Sequence, residues 1–97
     1  MTTPETAAAS PTILAGQVVH DLKIWPEFYT QITSGQRRHE VRSSADRSFR
    51  VGEFLRLREW DPATKDYTGR GCLVRISAIT APGTWGLPAD LCVMSII

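Results

Sequence analysis

Val18-Val19-His20-Asp21-Leu22-Lys23-Ile24-Trp25-Pro26-Glu27-Phe28-Tyr29-Thr30-Gln31-Ile32-Thr33-Ser34-Gly35-Gln36-Arg37-Arg38-His39-Glu40-Val41-Arg42 changes its hydrophobic period twice, and those changes decide the fold. Up to Ile24 the residues alternate. Val18, His20, Leu22 and Ile24 share one face, and Val19, Asp21 and Lys23 the other, which predicts a half-buried strand. From Trp25 the period lengthens: Trp25, Phe28, Tyr29 and Ile32 fall at helical spacing on one stripe. Pro26 suits the first helical turn, Glu27 complements the positive helix end, and Gly35 suits a left-handed stop. A helix this short has little intrinsic stability, so its stripe must pack on the sheet. Arg38 to Arg42 then alternates again, with His39 and Val41 opposite Arg38, Glu40 and Arg42.

Working outward, residues 43–48 read as a loop and Val51-Gly52 as a turn into the clearest strand, Glu53 to Trp60. There Leu55, Leu57 and Glu59 share one face, and Phe54, Arg56, Arg58 and Trp60 the other. A turn-rich stretch, Asp61 to Asp66, is followed by Tyr67 to Gly71 leading into a strand over Cys72 to Thr80. Ala81 to Pro88 reads as an irregular loop, and Leu91 to Ile97 as a closing strand. The order β-α-β-β-β-β predicts an α+β, mainly β fold. Short strands in so small a chain protect their edges best by curling, so a barrel of about five strands is expected, its helix covering one opening.

The 97 residues make one domain. Residues 1 to 16, rich in Thr, Ala, Ser and Pro, lack the apolar content to offset their ordering entropy and are expected to be a disordered tail, leaving residues 17–97 as the domain. The chain has no basic-then-apolar leader and no apolar run long enough to span a bilayer, so a cytoplasmic protein is expected. Net charge is only +1, yet residues 36–58 hold seven arginines against three carboxylates, a local excess of +4 able to attract phosphate. Cys72 and Cys92 sit in apolar runs and read as small buried hydrophobes. His20 and His39 have no nearby cysteine, so no metal site is expected. The chain contains no phosphate-cradling loop, dinucleotide glycine pattern or Ser–His–Asp spacing, and no cofactor is expected.

The blocks His20 to Tyr29, Ser34-Gly35, Glu40 to Arg42, Asp46 to Glu53, Leu57 to Pro62 and Tyr67 to Arg70 resemble a bacterial and phage family known only as a domain of unknown function. That family looks like a branch of the ASCH domains within the PUA-like superfamily of small β-barrels. The ASCH signature, Gly-x-Lys-x-x-Glu-x-Arg, reads here as Gly35 to Arg42, with Arg37 in place of the usual lysine. The resemblance implies RNA or nucleotide binding in a cleft beside the motif, and it places Lys23 facing that cleft. Some small ASCH proteins are amidohydrolases of N4-acylated cytidine that use a Lys, a Thr and a Glu. The matching positions here hold Arg37, Glu40 and, on a loose alignment, Arg75, so that catalytic set is not retained.

The residues themselves leave several roles open. Arg37 keeps its proton and cannot act as a base, but it can clamp phosphate or a base edge in two-pronged fashion. Glu40 and Arg42, two residues apart on one face, either form a structural ion pair or divide between an exocyclic amine and a phosphate. Lys23 is either a solvated lysine or an anion contact, and His20 reads as a hydrogen-bonded core residue. Glu59 continues an apolar face, so it must find an Arg, a tyrosine hydroxyl or a backbone donor, or sit at the barrel mouth as a general acid or base. Trp25, Tyr29, Trp60 and Trp85 could stack bases, and Trp85, in a Gly/Pro loop, is the best placed. The expected nucleic-acid-binding set is Lys23, Arg37, Glu40, Arg42, Glu59 and Trp85. The leading expectation is a binding module for RNA or a nucleotide. The alternatives are a hydrolase of a modified nucleoside, with Glu40 or Glu59 as base, and a protein-interaction factor.

Overall fold

The computed structural model describes residues 14–45 and 47–97. The expected tail therefore lies, up to residue 13, outside the described residues. The chain runs β1 (Val19–Ile24), α1 (Pro26–Thr33), β2 (His39–Ser43), β3 (Phe54–Asp61), β4 (Asp66–Thr80), a 3-10 turn (Thr84–Gly86) and β5 (Leu91–Ile96). This is the expected order, and the fold is α+β with strand predominating.

The strands form one mixed sheet in the order β1-β3-β4-β5-β2. β1 runs parallel to β3, with Lys23 beside Arg58, and the remaining pairs are antiparallel. β4 is the spine: Asp66 to Arg75 pair with β3, and Ile76 to Thr80 pair with β5, across an irregularity between Ile76 and Ala78. Consecutive β1 and β2, joined by α1, thus occupy opposite edges of the sheet. A flat sheet of this width would separate those edges by roughly 19 Å. The sheet curls instead, and Arg42 Nη2 of β2 donates to the Lys23 carbonyl of β1 at 2.7 Å.

The expected barrel is corrected here: the sheet does not close. β1 and β2 are not hydrogen-bonded neighbours in it, and a side chain rather than a strand ladder bridges their edges.

The interior gathers Ile24, Leu55, Leu57, Val74, Ile76, Cys92, Met94 and Ile96, with Phe28, Tyr29 and Ile32 of α1 packed against them. Leu55 and Leu57 face inward as the alternation predicts, and Glu59 follows them. Trp25 departs from the expected stripe. It precedes the first helical turn in extended conformation, so its side chain leaves the helical arc and is 52% exposed. β4 also starts earlier than expected, at Asp66. Lys65 adopts a left-handed φ of 56° and its N–H donates to the Asp61 carbonyl at 2.8 Å, closing the β3–β4 hairpin at once.

Leu57 is fully enclosed, so Leu57→Ala removes buried methyl groups and leaves a cavity. Urea unfolding should show a loss of about 2–5 kcal/mol with an unchanged m-value. A loss under 1 kcal/mol would contradict this packing.

Candidate functional site

The seam between β1 and β2 is a concavity of about 330 Å³ lined by Lys23, Ile24, Trp25, Phe28, Arg37, Glu40, Val41 and Arg42. Its geometry starts at the end of α1. Gly35 takes a φ of 84°, and the Arg37 N–H returns to the Gln31 carbonyl at 3.0 Å, so the chain doubles back along the helix. That turn lays the Arg37 guanidinium against Phe28, 4.6 Å from the ring centroid. β2 then sends Glu40 inward, where the residue is 2% exposed.

An unpaired carboxylate at such a depth costs several kcal/mol. Arg42 neutralises it, with Nε 2.9 Å and Nη2 2.8 Å from Glu40 Oε1, while Nη2 also holds the Lys23 carbonyl. The second oxygen is less well served. Glu40 Oε2 lies 3.6 Å from Arg37 Nε, outside hydrogen-bond range. Arg37 Nε is buried and has no hydrogen-bond partner among the described residues. A donor and an acceptor thus stand close together at the cleft floor without satisfying each other, with the half-exposed Trp25 on the wall.

Of the expected binding set, Arg37, Glu40 and Arg42 meet at this cleft. Lys23 borders it through its carbonyl, but its ammonium sits 3.8 Å over the Trp60 ring and 5.9 Å from that of Tyr67. Glu59 is elsewhere, 1% exposed. Arg70 grips it with Nε and Nη2, each at 2.8 Å, and the Thr68 hydroxyl donates to it at 2.6 Å. Those Arg70 bonds, helped by Thr68 and opposed by burial, hold the Glu59 carboxyl below its ordinary range. Trp85 also stands apart, 96% exposed at a left-handed φ of 49°, and it lines neither this concavity nor the one on the outer face of β3 and β4.

His20 is a half-buried, hydrogen-bonded residue, its Nε2 2.8 Å from Glu53 Oε1 and its ring 4.7 Å from that of Phe49. The Arg50 N–H donates to the same Glu53 oxygen at 2.9 Å, so this pair ties the loop before β3 to β1. Both cysteines are free thiols. Cys92 is in the core, where burial raises its pKa, and burial, reinforced by the Glu40 charge, pushes Cys72 to about 11. Neither is a thiolate nucleophile near neutral pH. No helix among the described residues is long and apolar enough to cross a membrane.

The sequence reading missed Phe28 as the support under Arg37, Trp25 as a cleft wall, and Thr68 and Arg70 as the partners of Glu59. A signal for the last did exist. Glu59 and Arg70 flank the Asp61–Asp66 turn, and continuing the strand back through Gly69 and Gly71 would have set them across the hairpin.

A family model described as a domain of unknown function (DUF3850) matches residues 19–96, and the chain belongs to that family. No curated protein matches it.

The depressed Glu59 pKa has a consequence for acid stability. The paired carboxylate contributes fully above its ordinary value of 4.5, and that contribution is lost as pH falls through the lower folded value. Melting temperature should therefore drop below about pH 4.5, and Glu59→Gln, less stable at pH 7, should show a flatter acid limb. Parallel acid limbs for the two proteins would contradict the assignment.

Proposed function

We propose that the seam cleft binds an unpaired nucleobase of RNA or a free nucleotide, making this domain a small nucleic-acid- or nucleotide-binding module. The observation that carries this reading lies at the floor: buried Arg37 Nε has no hydrogen-bond partner among the described residues, and Glu40 Oε2 lies 3.6 Å from it. A base edge with an exocyclic amine next to a ring nitrogen, as in cytosine or adenine, supplies the missing acceptor and donor together. Trp25 offers an exposed ring for stacking, and Arg42 and Arg37 keep the surroundings favourable to phosphate. The Gly35–Arg42 motif adds support, since it is similar to the ASCH signature of PUA-like domains.

The hydrolytic alternative draws less support. Glu40 is engaged by Arg42, Glu59 by Arg70 and Thr68, and Arg37 holds its proton at any workable pH. The exposed apolar side chains Leu14, Val51, Trp85 and Ile97 are what a protein-interaction role would draw on.

Titration of cytidine and adenosine monophosphates and short single-stranded RNA at low salt, followed by tryptophan fluorescence, tests the proposal. Binding should quench Trp25, and Trp25→Phe should abolish that signal. Arg37→Ala should weaken affinity by about 10- to 100-fold, the range for one hydrogen bond from a charged donor. For RNA, log K should fall linearly with log salt. No binding by any ribonucleotide or RNA oligomer at low salt would overturn the reading.

A further inference from the structure

The outer face of the β3–β4 hairpin carries a second concavity, of about 380 Å³, whose lining includes Arg56, Arg58, Tyr67, Gly69, Gly71 and Leu73. The hollow exists because Gly69 and Gly71 present no side chains to it. A side chain at Gly71 would be crowded, since a Cβ there would sit 3.0 Å from the Leu57 carbonyl oxygen. Arg58 lines this hollow, and Lys23, which does not, stands beside Arg58 on β1. Arg58 lies 3.9 Å over Tyr67 and Lys23 lies 3.8 Å over Trp60, and the two rings meet edge to face at 5.0 Å. The register places Lys23 beside Arg58 on adjacent strands, so the four side chains make one row. Neither cation has a carboxylate partner among the described residues, whereas Arg56 shares its charge with Asp21 at 3.2 Å.

An aromatic face restrains a cation without cancelling its charge. Each ring carries a cation on one face, so the row presents positive charge. Lys23 lines the seam cleft and reaches this row through its ammonium. Its carbonyl is fixed at the seam by Arg42, while its ammonium projects onto the outer face.

We infer that the Lys23–Arg58 row and the adjoining glycine-floored hollow bind the phosphodiester backbone of a single-stranded polynucleotide whose unpaired base occupies the seam cleft. The inference rests on the cleft reading for the single-stranded form of the ligand. It adds a second contact region and makes the ligand a chain rather than a mononucleotide. Charge complementarity selects the occupant: two cations without carboxylate partners, side by side on adjacent strands, attract the phosphates of one chain, and the hollow between strands gives a sugar or phosphate access to bare backbone.

The test compares a fluorescein-labelled hexanucleotide, as RNA and as DNA, with a mononucleotide, using the full chain and its Arg58→Ala, Arg58→Glu and Arg37→Ala variants. The parent should bind the single-stranded hexamer at least tenfold more tightly than the mononucleotide, and a duplex of equal length should lack that gain. Arg58→Ala should lose about tenfold on the hexamer and reduce the salt slope by about one, with mononucleotide affinity unchanged. Arg58→Glu should lose more, and circular dichroism should confirm that each variant is folded. Arg37→Ala should weaken both ligands. The RNA and DNA arms identify which sugar is preferred, and binding of either supports the assignment.

Unchanged hexamer affinity and salt slope in Arg58→Ala and Arg58→Glu, with Arg37 dependence intact, would overturn the backbone track alone. Arg58 dependence with no Arg37 dependence would overturn the cleft reading alone. No binding by the parent overturns both. Equal competition by a sulfated oligosaccharide of matched charge would overturn the polynucleotide assignment.

Discussion

The Arg42 guanidinium is the constraint on which the rest of the structure depends. It joins the two edges of a curled sheet that the chain brings together through one short helix, and it does so without a strand ladder. One planar group neutralises the buried Glu40 and satisfies the Lys23 carbonyl, two debts that the seam would otherwise leave open. Closure by a side chain has a geometric consequence. Backbone pairing would draw the strands to under 5 Å and fill the seam, whereas an arginine bridge leaves room beside it. The cleft follows from the way the fold is closed.

Glu40 and Glu59 make an instructive pair, because both are carboxylates at apolar strand positions and both are nearly inaccessible. Glu59 is saturated: Arg70 takes both oxygens and Thr68 adds a third bond, so nothing is left to offer a ligand. Glu40 has one oxygen fully engaged and the other facing an arginine nitrogen too distant to bond. A saturated buried charge is a structural part. A half-satisfied one beside a donor with no partner stores the cost of an unmade bond, which a suitable ligand can recover.

Much of the local structure was legible in the sequence because hydrophobic period reports which way a side chain points. It located β1, α1, β2, β3 and β5 to within about a residue or two, the uncertainty usual for element ends. It also turned Leu55, Leu57 and Glu59 inward and brought Arg37, Glu40 and Arg42 together. Period says nothing about which strand lies beside which, and that is where the reading failed. The parallel pairing of β1 with β3, the edge positions of β1 and β2, and hence the unclosed seam are set by contacts distant along the chain. The early start of β4 was hidden by Gly69 and Gly71, which interrupt the apolar alternation while the backbone continues its ladder. Trp25 fell on the helical stripe by count but lies one residue before the helix begins. The isolation of Trp85 depends on a loop path that no local pattern encodes.

Charge distribution gives the last step. Counting arginines between residues 36 and 58 yields a strong local field, but the fold spends those charges unevenly. Arg37 and Arg42 share Glu40, and Arg56 meets Asp21. Arg70, beyond that segment, is consumed by Glu59. Cations set against carboxylates screen themselves, while those set against rings do not. Lys23 and Arg58, held against Trp60 and Tyr67, keep their charge without a carboxylate partner among the described residues. A near-neutral chain can in this way direct an anion to one face. Because Lys23 belongs both to that row and to the rim of the seam, an exposed charge without a carboxylate partner and the partnerless Arg37 Nε lie on either side of one strand end.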